Sequence, residues 1–445
     1  MKVDFANKTV GGFNFEFVRG LSLQAVGAAE YGECMDTMSR VKNNNFDSWI
    51  TQWAATADRV GDFAEREHRI GNTVSARDAF LRAANYYRMA VFYAAHTEAR
   101  HTLLWQHSKD CFHRMIPLMD VPIQCVEIDF DISRHEKARL PAYFVAGGDG
   151  PRPTLIALGG FDSTMEELYC WIGAAAPAYG WNCLMFEGPG QWTALKTNPG
   201  LTFRPDYEKP VGAVVDYLLG RADVDASKLA IIGYSMGGYL AARGALDQRI
   251  RACIPNSIVV DCGAAARAGM KGLLKNTTFM DAAFKVLMRV NTPARWGFQH
   301  SQWSLGIRNA HEWVQVYQPY SIKGFTERYR NPMLFLFSED DIHDAAAPSA
   351  EIIIDMLDFM LALDCDRYIR LFTRTEGASS HCQIGGLSYA QAAIFDWLNY
   401  VFLAAPEPEP ADPATAELFI RQFAKYGKTQ GEAKATQLLG VARLI

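Results

Sequence analysis

The sequence predicts an α/β protein: a mostly parallel, eight-stranded sheet with a helical segment before it and a helical insertion inside it. Two patterns carry this expectation. Between about residues 123 and 403, short apolar runs ending in Gly, Ser or Thr alternate with helix-length segments, as parallel strands covered by helices on both faces do. Before them, FDSWITQWAATADRVGDFAEREHRI and SARDAFLRAANYYRMAVFYAAH place apolar and aromatic residues three and four apart, which is the helical period. A chain of 445 residues at about 150 per domain has room for such a core and for additional parts.

Residues 1–122 are read as a helical N-terminal domain. Asn72, Thr73 and Ser75 precede its second long helix, Ser75 with Asp78 resembles a capping box, and the turn near Gly71 joins two antiparallel helices. Residues 123–403 form the core. VEIDFDI and LPAYFVAG read as a hairpin, and PTLIALGG, NCLMFEG, KLAIIGYS, RACIPNS, PMLFLFS and RYIRLFT read as six parallel strands. About 75 residues separate the fourth and fifth of these, more than one crossover needs, so a helical lid is expected over about 260–330. Its Phe279, Phe284, Trp296, Phe298, Trp303, Trp313, Tyr317 and Tyr320 either line an apolar pocket or form the lid's own core. Residues 404–445 comprise a stiff proline-rich linker, AAPEPEPADPAT, and a tail with helical spacing.

Composition excludes several functions. Hydrophobic residues at 49% and charged residues at 21% are globular values. The 44 Lys+Arg against 49 Asp+Glu leave a charge of −5, no surplus to attract nucleic acid. No apolar run is long enough to span a membrane, and the start lacks the apolar stretch of a secretory signal. A cytoplasmic protein is expected. Its nine cysteines are scattered without CxxC spacing, which fits reduced, mostly buried thiols and neither a disulfide frame nor a metal site.

The chemistry is expected at GYSMGG, residues 233–238, which follows the strand KLAII and precedes the helix former YLAARGAL. In that context GxSxG sets a serine on a sharp elbow at the C-terminal edge of a parallel sheet, with helix N-H groups facing a developing oxyanion. Ser235 is the candidate nucleophile. A serine hydroxyl needs a base and an orienting acid. Asp341 follows the strand PMLFLFS, with Glu339 and Asp340 as competitors, and His381 follows RYIRLFT, with His343 as rival. In ALGGFDSTMEE, Gly159 and Gly160 permit close backbone approach, so the N-H groups of Phe161 and Met236 are the candidate oxyanion donors. FEGPGQW ends another strand at the same edge and shapes the pocket. His96, His101, His107 and His113 lack metal-ligand spacing and read as packed or solvated side chains.

Together these residues resemble the α/β-hydrolase superfamily. Within it, SARDAFLRAANYYR, LGGFDSTMEE, FEGPGQW, GYSMGG and the SHC histidine are similar to the group holding 2,6-dihydroxypseudooxynicotine hydrolase, the fungal naphthopyrone chain-shortening hydrolases and the FrsA-like esterases. The resemblance implies N-terminal helices capping the serine, a homodimer, no cofactor or metal, and a small-molecule substrate of aromatic or polyketide origin. It gives Ser235 as nucleophile, Asp341 as orienting acid, His381 as base, and Phe161 with Met236 as oxyanion amides. Gly160, Trp192, Tyr234 and Asp261 are the candidate substrate contacts. Trp192 stands where these relatives have glycine, which implies a narrower pocket. The extra carboxylate that assists carbon-carbon cleavage in some relatives is left open among Asp261, Glu166 and Glu167.

Three functions are weighed. The first is hydrolysis of a carbon-carbon bond beside a ketone, which needs a leaving carbon able to carry charge. The second is an esterase, lactonase or acyltransferase, whose alkoxide His381 can protonate. The triad is common to both. The third is a ligand-binding protein that keeps the scaffold without turnover.

Overall fold

The computed structural model describes residues 12–269, 284, 286–289, 291–341 and 350–445. Helices α1 (Gly12–Ser22), α2 (Tyr31–Arg40), α3 (Phe46–Arg69), α4 (Thr73–Phe92) and α5 (Ala99–Met115) come first. Gly71, at φ +86°, closes the turn between α3 and α4. The capping box expected at Ser75 does not form. Asn72 occupies the cap position and its amide donates to Glu67 Oε2 at 2.7 Å, so Ser75 lies inside α4.

The strands are β1 (Ile123–Ser133), β2 (Glu136–Val145), β3 (Arg152–Leu158), β4 (Asn182–Phe186), β5 (Val224–Tyr234), β6 (Ile250–Asn256), β7 (Met333–Ser338), β8 (Arg367–Phe372) and β9 (Arg443–Leu444), in the spatial order β1-β2-β4-β3-β5-β6-β7-β8-β9. β1, β2 and β4 pair antiparallel, and β4-β3-β5-β6-β7-β8 pair parallel. The sheet therefore has nine strands and not the expected eight. The ninth comes from the tail, where Arg443 and Leu444 pair parallel with Tyr368 and Ile369 of β8. Two residues carry no periodicity, so their pairing was invisible in the pattern.

Helices α6 (Met165–Leu168), α7 (Trp192–Thr197), α8 (Glu208–Leu219), α9 (Met236–Gly244), α10 (Cys262–Gly269), α11 (Thr292–Ser304), α12 (Ala310–Val316), α13 (Ala350–Leu361), α14 (Leu387–Leu403) and α15 (Pro413–Leu439) follow, with short 3-10 and π-helical segments between elements. Alternation along the strands sends side chains to two cores. Leu155, Ala157, Ala230, Ile232, Leu334 and Leu336 pack toward α1–α5 and α14. Ile156, Leu158, Leu229, Ile231, Phe335 and Phe337 pack toward α8, α9, α13 and α15. The residues between β6 and β7 divide likewise: Phe284, Phe298 and Tyr320 join the second core, whereas Trp296 stacks on Phe92 of α4 at 4.5 Å. Phe279 lies outside the described residues.

Candidate active site

At the C-terminal end of β5 the chain reverses through Ser235 at φ +60°, ψ −127°. A non-glycine residue there is strained by about 1–3 kcal/mol and persists only where its surroundings hold it. Here they do. Ser235 N-H donates to Asn256 O at 3.0 Å, and Gly238 N-H donates back to Ser235 O at 2.8 Å. A Cβ on Gly233 would stand 1.8 Å from Gly237 O, so that position excludes any side chain. Met236 opens α9, and its N-H is a first-turn donor without an intrahelical acceptor. Gly160 presses against this elbow: a Cβ on it would lie 2.6 Å from Tyr234 O and 3.0 Å from Met236 N. The turn after β3 and the start of α9 thus lie against each other.

Asp341 follows β7 and His381 follows β8. His381 Nδ1-H donates to Asp341 Oδ1 at 2.7 Å, and Ser257 Oγ donates to Asp341 Oδ2. Burial opposes the charged forms of both residues, but their mutual attraction outweighs it: the imidazole pKa is held well above its ordinary value and the carboxyl below. The competing acids pair elsewhere. Asp340 accepts from Arg374 Nε at 3.0 Å and Ser379 Oγ at 2.7 Å, and Glu339 pairs with Arg374 at 3.0 Å. His343 lies outside the described residues.

Asn256, Ser257 and Gln383 are functional candidates that the sequence analysis did not single out. Asn256 Nδ2 donates to Gln383 Oε1 at 2.7 Å, and Gln383 Nε2 donates to Asn256 Oδ1 at 3.1 Å and Ser338 Oγ at 3.0 Å. This buried pair links the residue that holds the serine elbow to the loop carrying His381. From the other side, the Phe15 ring of α1 comes within 6.3 Å of the His381 ring.

Residues 155–388, which hold the strained serine and the Asp-His pair, match a known family model described as the alpha/beta hydrolase family. The chain belongs to the alpha/beta hydrolase family. The hydrolase is 30% identical over 408 residues to 20-hydroxy-prefusarin hydrolase FUS2 of Gibberella moniliformis, covering 88% of this chain and 96% of that one. It is 33% identical over 331 residues to the hydrolyase poxO of Penicillium oxalicum, covering 70% and 77%. Among solved structures it shares the fold of 2,6-dihydroxy-pseudo-oxynicotine hydrolase, with a TM-score of 0.66 at 20% identity over 88% of this chain and 98% of that one.

The remaining candidates of this hydrolase are already engaged. Trp192 is buried, stacks on His101 at 5.2 Å and donates its Nε1-H to Asp162 O at 2.8 Å. Tyr234 is buried and its ring lies 5.0 Å from that of Trp171. Asp261 caps α10 through Ala264 N-H at 2.7 Å and pairs with Lys323 at 3.5 Å. Glu167 receives Arg19 Nε-H at 2.6 Å, and Glu166 receives Tyr143 O-H at 2.8 Å. Burial and then the Glu166 charge push the Glu187 carboxyl up to about 7. Burial holds His101 neutral, its pKa lowered to about 2. Among the described residues no cluster of His, Cys, Asp or Glu is arranged to hold a metal ion, and no helix is long and apolar enough to cross a membrane.

Proposed function

We propose that this hydrolase is serine-dependent and cleaves a carbon-carbon bond beside a ketone in an aromatic or polyketide-like small molecule. The observation that carries the serine reading is the 2.7 Å bond from His381 Nδ1 to Asp341 Oδ1, two residues that follow Ser235 in the chain order Ser, Asp, His. In the proposed mechanism Nδ1 keeps its proton, so Nε2 is left to take the proton of Ser235 Oγ as that oxygen attacks the carbonyl. The Phe161 and Met236 amides receive the oxyanion. His381 then returns the proton to the departing carbon, and water hydrolyses the acyl-serine.

The family relationship supports hydrolysis, and the substrate in the name of the Gibberella relative, 20-hydroxy-prefusarin, supports a hydroxylated small molecule. We further propose residues 1–122 as a cap, 123–403 as the catalytic body and 404–445 as a docked linker and tail, in a cytoplasmic homodimer. The test is turnover by the purified chain on hydroxylated polyketide-like ketones and on the matching esters, with product masses. A Ser235→Ala variant is expected to lose at least about 1000-fold in kcat. Full turnover by that variant would overturn the serine reading, and products formed only from esters would overturn the carbon-carbon reading.

A further inference from the structure

Four successive carbonyls in the turn after β3 meet side-chain donors. Gly159 O and Gly160 O accept from Gln191 Nε2 at 2.8 and 3.3 Å, Phe161 O accepts from His300 Nε2 at 2.8 Å, and Asp162 O accepts from Trp192 Nε1 at 2.8 Å. The Gln191 amide cannot turn over without loss, because its Oε1 accepts from Gly188 N-H at 2.8 Å and from Tyr207 O-H at 3.2 Å. Residue 161 is therefore clamped through both of its peptides. The carbonyl and N-H of a trans peptide point in opposite directions. Drawing Gly160 O toward Gln191 turns the Phe161 N-H the other way, and the bond from His300 holds the next peptide.

His300 comes from α11, far along the chain from β3, and it is buried among aromatic rings. Its centroid lies 4.6 Å from Phe161, 5.5 Å from Trp296 and 5.7 Å from Trp192. Burial lowers its pKa, so the ring is neutral and carries its one proton on the nitrogen facing Phe161 O. We infer that His300 is a positioning residue through which the helices between β6 and β7 set the Phe161 amide in its catalytic direction, with Gln191 holding the other side. This assignment rests on the proposed roles of Ser235 and Phe161. It makes the Phe161 side of the oxyanion site a shared product of three segments: the turn after β3, the turn after β4, and α11. Docking of α11 then completes that side of the site.

The test uses the full chain with two probes, a small fluorophosphonate and p-nitrophenyl acetate, and compares His300→Phe, which keeps a buried ring without the donor, with His300→Gln, which keeps an N-H of similar reach without the ring. Deuterium uptake by a peptide containing residues 159–164 is read in parallel. The His300→Phe rate constants are expected to fall about tenfold with KM for the acetate within about twofold, and His300→Gln to recover to within about threefold of the natural chain. Uptake is expected to quicken only in His300→Phe. Natural rates and uptake in His300→Phe, or a His300→Gln as slow as His300→Phe, would overturn the assignment. Equal labelling of the natural chain and Ser235→Ala would instead remove the serine reading beneath it.

Discussion

His381 must be neutral when it accepts the proton of Ser235 in the proposed mechanism, and Asp341 works against that. Burial alone would lower the imidazole pKa, but the carboxylate 2.7 Å away raises it well above 6.5. Activity is therefore expected to rise with pH through a limb lying above 6.5. Replacing Asp341 with Asn removes the charge while leaving an acceptor, so the limb should move to lower pH and kcat should fall by about 100- to 10,000-fold; a pH-rate profile of the two chains checks both. The stability signs also separate. The raised His381 contributes stability in full below 6.5, lost as pH rises through its folded pKa, while the lowered Asp341 contributes above 3.8, lost as pH falls through its own. Urea midpoints of Asp341→Asn should fall most between those limits. Ser235, Asp341 and His381 could be picked out as candidates because each lies in the turn or loop after a strand whose apolar run marks it. Ser257, Asn256 and Gln383 were not, since a Ser or an amide gains its role only from neighbours across the sheet.

Helix α1 shows how an element is fixed by charge inside a core. Arg19 is buried between the rings of Phe92 and Trp171, 5.5 and 5.4 Å from its guanidinium carbon, and it faces Glu167, Glu16 and Asp162. Arg88 of α4 reaches Glu16 at 2.7 Å and Glu167 at 3.4 Å. The network ties α1 to α4, to α6 and to the turn that holds Phe161. Removing one partner leaves an uncompensated buried charge, so Arg19→Met should cost about 3–5 kcal/mol, and Arg19→Met with Glu167→Gln should cost less. Urea unfolding of the three chains decides it, and equal midpoints for the natural chain and Arg19→Met would refute it. The same helix marks a limit of sequence reading. GFNFEFVRGLS sets Phe at 13, 15 and 17, a spacing of two that does not announce a helix, and nothing in it shows that Glu16 and Arg19 meet Arg88 and Glu167 from distant parts of the chain.

At the scale of the whole molecule the tail is part of the body. AAPEPEPADPAT announced a linker, and the spacing of Leu418, Phe419 and Phe423 announced a helix, but neither fixed where the helix goes. Phe419 and Phe423 of α15 pack edge-on to Phe337 of β7, at 5.9 and 5.7 Å, and Leu438 is buried in the same core. Ile445 N-H donates to Ile369 O of β8 at 2.9 Å, extending the pairing begun by β9. Part of the β8 edge is thereby paired, and the sheet ends on a two-residue strand, too short to offer a long row of unpaired backbone groups to another chain. Burying these three side chains stabilises the chain by roughly 5–9 kcal/mol, at about 1.5–3 kcal/mol each, comparable with the whole stability of a typical domain. A chain ending at residue 404 should therefore be unstable at 25 °C and aggregate through the bared face of β7 and β8. Phe423→Ala, full-length, should fold with a lower urea midpoint, having lost about 3–5 kcal/mol of stability. Because the Phe423 ring touches Phe337 of β7, and Asp341 follows that strand, this variant is also expected to lose activity at urea concentrations below its unfolding midpoint. Coincident activity and fluorescence transitions would show instead that the tail stabilises the molecule as a whole without separately holding the loop of Asp341.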